Sequence, residues 1–402
     1  MRWSGLEGEA RSVVITRRQL LRSALAVLVA APTVAAARRL LGGNRPAWVP
    51  AAPPPEVVYW PGAREEGPRL GARAAILLEV STGTILYARN EHQRRAPAST
   101  TKIVTALLAV ERGGLDEPVQ VSPQAAGTRG SSAHLRAGQT LSLLDLLHAM
   151  MLPSGNDAAV AVAEHLAGSV PAFARLMNQR VRELGARNSL FQNPHGLDAA
   201  GHYSTAYDLA LITRTAMTYP VFAQIVRTRE HRTEGGHWSN TNRLLWSYEG
   251  TVGVKTGTTS DAGHCLVSAA NRDGLELLSV VLASPDRWSE STRLLEWGFT
   301  TFRRLELAQA HEPLVEAAAP GTDEPIPLAS PQPVQILVRH DQVHDVHLRI
   351  RLAPVTLPVR RFEPLGQVDL LLGDQLVRTL PLEAAASVGR PAWWRRFLGL
   401  GA

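Results

Sequence analysis

Apolar and polar positions alternate with two different periods along the chain. Ala74-Ala-Ile-Leu-Leu-Glu-Val80, a Ser-Thr-Gly turn and Thr84-Ile-Leu-Tyr87 read as a β-hairpin. Helical runs follow: Ile103 to Val110, and Leu141 to Leu152 with Thr140 as the expected N-cap. Next come Asn156 to Leu166, ended by Gly168, and Pro171 to Leu184, with proline near its start and Gly185 after it. Thr205 to Met217 is a fifth. Strand-like runs return at Cys265 to Ala270 and Leu275 to Ala283, joined by the hairpin turn Asn271-Arg-Asp-Gly274. Thr292 to Phe302 closes this part as a helix. Strands, then many helices, then strands predict an α+β layering of an antiparallel sheet with helices, not βαβ units. No internal repeat is visible.

The pattern changes near Ala308. Residues 318–333 are rich in Pro, Gly, Asp and Ala. Beyond them come short alternating runs, Val334 to Val338, Val346 to Leu352 and Gln367 to Leu372, which predict a small β-rich domain over 308–387. The main folded region is read as 71–307. At the other end, Thr16-Arg17-Arg18-Gln19-Leu20-Leu21-Arg22 precedes the apolar run Ala24 to Ala31 and the small residues Ala35-Ala36-Ala37. That run is too short to span a bilayer and predicts an export signal over 1–37, either of the twin-arginine kind, from its paired arginines, or an ordinary Sec signal. Arg38-Arg39 directly after the cleavage candidate leaves retention as an anchor open. Residues 38–70 read as a Pro/Ala-rich linker. The chain closes on 388–402 with Trp393-Trp394-Arg395-Arg396-Phe397-Leu398, where aromatics and arginines suit a membrane surface; a terminal segment packing on the β-rich domain is the alternative.

Composition sharpens the search. The 402 residues are 45% hydrophobic and 19% charged, which is globular and leaves room for two or three domains. Of 42 basic residues only Lys102 and Lys255 are lysines. Arginine does not release its proton in proteins, whereas lysine can, so these two positions are where proton chemistry is expected. The single Cys265 excludes a disulfide framework, a cysteine-rich zinc site and an iron–sulfur cluster. The net charge of +6 is spread over dispersed arginines, and export removes the chain from cytosolic nucleic acid, so no nucleic-acid partner is expected.

Three short motifs carry chemistry together. Ser99-Thr100-Thr101-Lys102 opens a helix, and three residues is close to one turn, so both side chains share a face. A serine hydroxyl needs a neighbouring base to become nucleophilic. A lysine near other cations and partly desolvated can be neutral enough to serve. Ser154-Gly155-Asn156 offers a hydroxyl that can relay a proton and an amide that can orient lysine and substrate. Lys255-Thr256-Gly257-Thr258 reads as an edge strand: the lysine adds charge, the threonines can bind a carboxylate, and glycine lets a ligand backbone approach. Each motif alone is an ordinary cap or strand. In this order, 55 and 101 residues apart, with both lysines inside the set, they form the signature of penicillin-interacting serine acyl-transfer enzymes.

Within that superfamily the sequence resembles the low-molecular-weight penicillin-binding D-alanyl-D-alanine carboxypeptidases, serine peptidases, from about Ala74 to the C-terminus. The echoes are Leu152-Pro-Ser-Gly-Asn-Asp-Ala158, Asn193-Pro-His-Gly-Leu-Asp198, His202-Tyr-Ser-Thr-Ala-Tyr-Asp-Leu-Ala210 and Gly253-Val-Lys-Thr-Gly-Thr-Thr259. The resemblance implies a transpeptidase-like fold with a second β-rich domain. It implies Ser99 as the acylated residue, Lys102 as proton acceptor, Ser154 as proton shuttle, and Asn156 and Lys255 as substrate-positioning groups. By the same resemblance Thr256, Gly257 and Thr258 line the substrate, the N–H groups of Ser99 and Thr258 form the oxyanion hole, and Arg287 receives the terminal carboxylate. The implied partners are peptidoglycan stem peptides and, as covalent inhibitors, β-lactams; no cofactor and no metal are expected.

Rival readings stay in view. A class A β-lactamase shares two of the motifs but carries Ser-Asp-Asn and a deacylating glutamate, and no Glu-x-x-Leu-Asn segment lies between Asn156 and Lys255. A D,D-endopeptidase or a non-catalytic cell-wall protein are the others. His195 is read as a structural loop histidine, Cys265 as a buried thiol, and Asp157 as support for the first helical turn. Glu164-His165 lacks a second histidine for zinc, and His340, His344 and His347 are not expected to share a metal.

Overall fold

The computed structural model describes residues 12–16, 57–318 and 324–389. The chain divides into two compact units, with the boundary between Thr300 and Thr301. The export signal apart from its residues 12–16, the linker up to residue 56 and the C-terminal tail from residue 390 lie outside the described residues.

The larger unit is a six-stranded sheet with helices. Its strands are β1 (Val58–Tyr59), β2 (Ala74–Glu79), β3 (Thr84–Arg89), β4 (Thr251–Thr259), β5 (Gly263–Arg272) and β6 (Leu275–Ser284), in the spatial order β1-β3-β2-β6-β5-β4. All pairs are antiparallel except β1 with β3. β2 and β6 are buried almost throughout, which explains their nearly continuous apolar runs. The expected linker ends sooner than residue 70: β1 pairs with β3, and Trp60, Ala63 and Leu70 are buried.

The helices are α1 (Lys102–Arg112), α2 (Leu143–Met151), α3 (Asn156–Ala167), α4 (Val170–Glu183), α5 (Ala206–Met217), α6 (Pro220–Arg227) and α7 (Arg287–Thr301). α1 is buried from Lys102 to Ala109, on all sides, and forms the axis of the helical layer. Two expected boundaries move. Thr140 is not the cap of α2: Thr140–Ser142 pairs as a strand with Pro118–Gln120, and Ser142 Oγ caps the helix by accepting from Asp145 N. α7 starts at Arg287 rather than Thr292, because Glu290 and Ser291 are already buried on its inner face. Among the described residues no single helix is long and apolar enough to cross a membrane.

The smaller unit is β-rich. Its main sheet runs Ser12–Thr16, Val346–Leu352, Pro364–Leu372, Gln375–Ala384, Ile326–Ala329 and Pro313–Ala317, and a ribbon pairs Phe302–Ala308 with Val334–Arg339. That ribbon sets the boundary seven residues before the expected 308, since Phe302–Ala308 finds its hydrogen-bond partner inside this unit. The fully buried Asp369 carboxylate is held there by Arg349, Arg351 and Thr379.

Candidate active site

The three motifs converge. Ser99 lies in a 3-10 turn, Ala98–Thr101, that runs directly into α1. Lys102 Nζ lies 2.9 Å from Ser99 Oγ, 2.7 Å from Asn156 Oδ1 and 2.9 Å from the His195 carbonyl oxygen. The Asn156 amide is oriented by its own second bond, Nδ2 donating to the Arg129 carbonyl at 2.7 Å. Two of the three groups around Nζ can therefore only accept. A neutral amine has two N–H bonds and one lone pair. The two carbonyl oxygens take the N–H bonds, and the lone pair is left facing the Ser99 hydroxyl proton.

The electrostatics favour that neutral form. Lys102 is fully buried, and desolvation, reinforced by the charge of Lys255, holds its amine well below the usual lysine range; Asp157 acts in the opposite sense. Lys255 is also buried, and desolvation with the nearby Arg287 cation brings it down to about 7.

Local backbone explains how short motifs reach these positions. Ala98 and Ser154 are non-glycine residues at φ +48° and +69°, so strain sits in both turns that present the serines. Gly155 is required between Ser154 and Asn156: a Cβ there would meet the Ala149 carbonyl at 2.7 Å and Ala133 Cβ at 2.9 Å. Asn156 then begins α3, with its N–H donating to the Ser131 carbonyl. Ser154 is nearly buried, and its hydroxyl makes no hydrogen bond among the described residues.

β4 is the sheet edge, as the sequence predicts, with Lys255 opposite Val267 and Gly257 opposite Cys265. Lys255 and Gly257 share one face of the strand. The reason for the glycine differs from the expectation. A Cβ at Gly257 would lie 3.0 Å from Ala98 Cβ and 3.1 Å from both Pro97 O and Ser99 N, so the glycine first admits the serine turn itself. Thr256 Oγ1 lies 2.8 Å from Thr241 Oγ1. Arg287, the first residue of α7, donates through Nη1 to the Gly257 carbonyl and to Thr258 Oγ1, both at 2.8 Å. The strand end thus carries a guanidinium, an amine and two hydroxyls, a set that suits a carboxylate.

Several contributors escape sequence reasoning. The His195 and Arg129 carbonyls are main-chain groups with no residue-type signal. Asp157 does more than support a helical turn: its carboxylate accepts from Ser132 Oγ and from the N–H groups of Ala133, Leu135 and Ala158, tying the 129–135 loop to α3. That anchoring was foreshadowed only by its place beside Asn156. The His195 ring accepts from Leu197 N at 3.1 Å, and no hydrogen bond joins it to Ser99 among the described residues. Cys265 is buried, and desolvation pushes its thiol up to about 11.

Outside the motifs, Asp145, His148 and His231 bring three potential ligand atoms within 4.8 Å of one another. The two imidazoles are stacked, with centroids 3.8 Å apart and planes at 10°. Stacked rings set their lone pairs side by side rather than converging on one ion, so the trio acts as a clamp between α2 and the Glu230–Ser239 hairpin, with Asp145 Oδ1 2.8 Å from His231 Nε2. A groove of about 640 Å³ between Leu244, Trp288 and Trp297 includes none of the three motifs.

A family model described as D-alanyl-D-alanine carboxypeptidase matches residues 62–286, more than half of the chain. The D-alanyl-D-alanine carboxypeptidase DacF of Bacillus subtilis is 32% identical over 343 residues, covering 80% of this chain and 88% of that protein. DacC of Escherichia coli is 32% identical over 350 residues, covering 82% and 88%. Among solved structures, penicillin binding protein 5 from Haemophilus influenzae superposes with a TM-score of 0.73 at 30% identity, over 81% of this chain and 99% of that one. The chain belongs to the D-alanyl-D-alanine carboxypeptidase family of serine peptidases.

Proposed function

We propose that this protein removes the terminal D-alanine from peptidoglycan stem peptides through an acyl-enzyme on Ser99. The observation that carries the reading is the Lys102 amine, buried and enclosed by Ser99 Oγ and two fixed carbonyl acceptors. Ser99 Oγ attacks the carbonyl carbon between the two D-alanines while its proton passes to Lys102 Nζ. The developing oxyanion is received by the N–H groups of Ser99 and Thr258. The Ser154 hydroxyl passes a proton from the Lys102 side to the leaving amine, and the C–N bond breaks. Water then attacks the ester carbonyl and gives its proton to Lys102; the bond to Ser99 Oγ breaks, Oγ takes that proton back, and the trimmed peptide leaves with a free carboxyl group. Asn156 orients both Lys102 and the peptide. Lys255, Thr256, Thr258 and Arg287 hold the terminal carboxylate, and Gly257 gives the strand its close approach.

A β-lactam presents the same reactive carbonyl and acylates Ser99 in place of substrate. Such a substrate requires work outside the cytoplasm, which residues 1–37 serve as export signal. The 388–402 tail holds the enzyme weakly on the membrane surface. Cell fractionation with and without that tail tests the last point: equal membrane fractions would remove it. The central test is penicillin labelling and D-alanine release by wild type and by Ser99→Ala. Both activities vanish in the variant; continued release by Ser99→Ala would overturn the assignment.

A further inference from the structure

We infer that His202 is a positioning residue for the Ser99–Lys102 pair, locking the Asn193–Leu197 loop so that the His195 carbonyl stays a fixed acceptor for the lysine amine. The inference rests on Lys102 being the base.

The buried His202 ring bridges two segments. Gln192 N donates to Nδ1 at 3.0 Å, and Nε2 lies 2.9 Å from Thr101 Oγ1. A backbone amide can only donate, so Nδ1 carries no proton in this geometry. The ring proton of the neutral form is on Nε2 and is given to Thr101. Burial brings the ring's pKa down to about 4, with Asp198 opposing, so this tautomer holds across the working range. Phe191 packs edge-on to the ring, with centroids 5.6 Å apart. One imidazole thus ties the residue just before Asn193 to the residue just before Lys102.

The loop between them is shaped to present one carbonyl. Asn193 Oδ1 accepts from Gly196 N at 2.7 Å and from His195 N at 3.3 Å, curling the backbone. Thr105 Oγ1 donates to the Pro194 carbonyl at 2.7 Å. Gly196, at φ +89°, presses on the serine turn so closely that a Cβ would overlap the Ala98 carbonyl oxygen and sit 2.9 Å from Thr101 Oγ1. The His195 carbonyl then meets Lys102 Nζ at 2.9 Å. Removing the imidazole leaves the Gln192 N–H without its acceptor and Thr101 Oγ1 without its donor, both in buried surroundings. The loop is then free to draw back, and Lys102 loses an acceptor that aims its lone pair. The loss falls on proton transfer and not on substrate binding.

The test uses the full chain with His202→Ala, His202→Gln and Thr101→Val. It reads the rate constant of acylation by a fluorescent penicillin, and kcat and KM for a D-alanyl-D-alanine peptide. His202→Ala should acylate at least about tenfold more slowly, with KM unchanged within about twofold. His202→Gln should stay within about threefold of wild type, because its Oε1 can take the Gln192 N–H while its Nε2 donates to Thr101. Thr101→Val should lose activity as His202→Ala does. Wild-type acylation by a folded His202→Ala or Thr101→Val, a Gln variant no better than Ala, or a loss confined to KM would each overturn the inference. Should His202→Ala not fold, the other two variants decide. If Ser99→Ala still reacts, the proposed function fails first; if Ser99→Ala is inert and Thr101→Val acylates normally, only this inference fails.

Discussion

Replacing Asn156 by aspartate changes one atom and puts a negative charge where Lys102 now meets a neutral carbonyl. The oxygen lies 2.7 Å from Nζ. At that distance, effective dielectric constants of 80 and 20 give an attraction of about 1.5 and about 6 kcal/mol. At about 1.36 kcal/mol per unit, the lysine pKa should rise by roughly 1 to 4 units. Once the raised pKa passes the assay pH, each further unit removes about nine-tenths of the neutral amine, so acylation at neutral pH should fall by up to roughly ten-thousandfold. The substitution also removes the Nδ2–H bond to the Arg129 carbonyl, costing about 1–3 kcal/mol of stability, which a thermal melt will register. The assay is the second-order rate of penicillin acylation from pH 5 to 10, for wild type, Asn156→Asp and Asn156→Ala. The aspartate variant should recover activity in alkaline solution, its acid limb displaced upward. The alanine variant should lose amplitude with a much smaller displacement. An aspartate curve with the wild-type shape, merely scaled down, would refute Lys102 as the titrating base.

Further outcomes follow from the same geometry. The Lys255 amine titrates at about 7 when folded against 10.5 for the free side chain, so the unfolded chain binds more protons between those values and stability rises with pH across that window. Lys255→Met should be more stable than wild type at pH 7, by at most about 5 kcal/mol, with the difference shrinking toward pH 10 in urea titrations; a pH-independent difference would show that the lysine is not held neutral. Gly257→Ala should push β4 away from the serine turn and slow acylation by more than about tenfold while the protein still melts cooperatively, since its Cβ meets Ser99 N at 3.1 Å. Rapid labelling by penicillin in that variant would contradict the close approach. Cys265, buried with its thiol raised to about 11, should resist iodoacetamide until the protein is denatured; labelling of native protein at neutral pH would contradict its burial.

Much of the candidate site is legible in the sequence, because its chemistry depends on side chains of unusual type. Two lysines in an arginine-rich chain and three spaced motifs pointed at Ser99, Lys102, Asn156 and Lys255 without any knowledge of distance. The hairpins were equally legible, since turn residues and alternating runs are local signals. What stayed hidden is supplied by the main chain or by distant contacts. The His195 and Arg129 carbonyls exist at every position of any sequence, and only folding selects them. Asp157 looks like a helix-start carboxylate until the loop above it is seen donating to it. Gly257 suggests room for a ligand, yet the nearest claimant to that room is the serine turn. The Thr140 cap failed because Thr140–Ser142 is claimed by a strand pairing, a tertiary preference that local propensity does not contain. Residues 302–307 were expected in the larger unit and fall in the smaller one for the same reason: their partner strand lies some thirty residues onward.

Because the chain has only two lysines, their charge states can be observed directly in protein labelled with nitrogen-15 lysine. The two Nζ resonances should titrate apart from ordinary lysines, that of Lys255 near 7 and that of Lys102 well below the usual range, each assigned by its absence in a Lys→Met variant. Two amines that stay charged past pH 10 in the folded enzyme would contradict a serine activated by a neutral lysine.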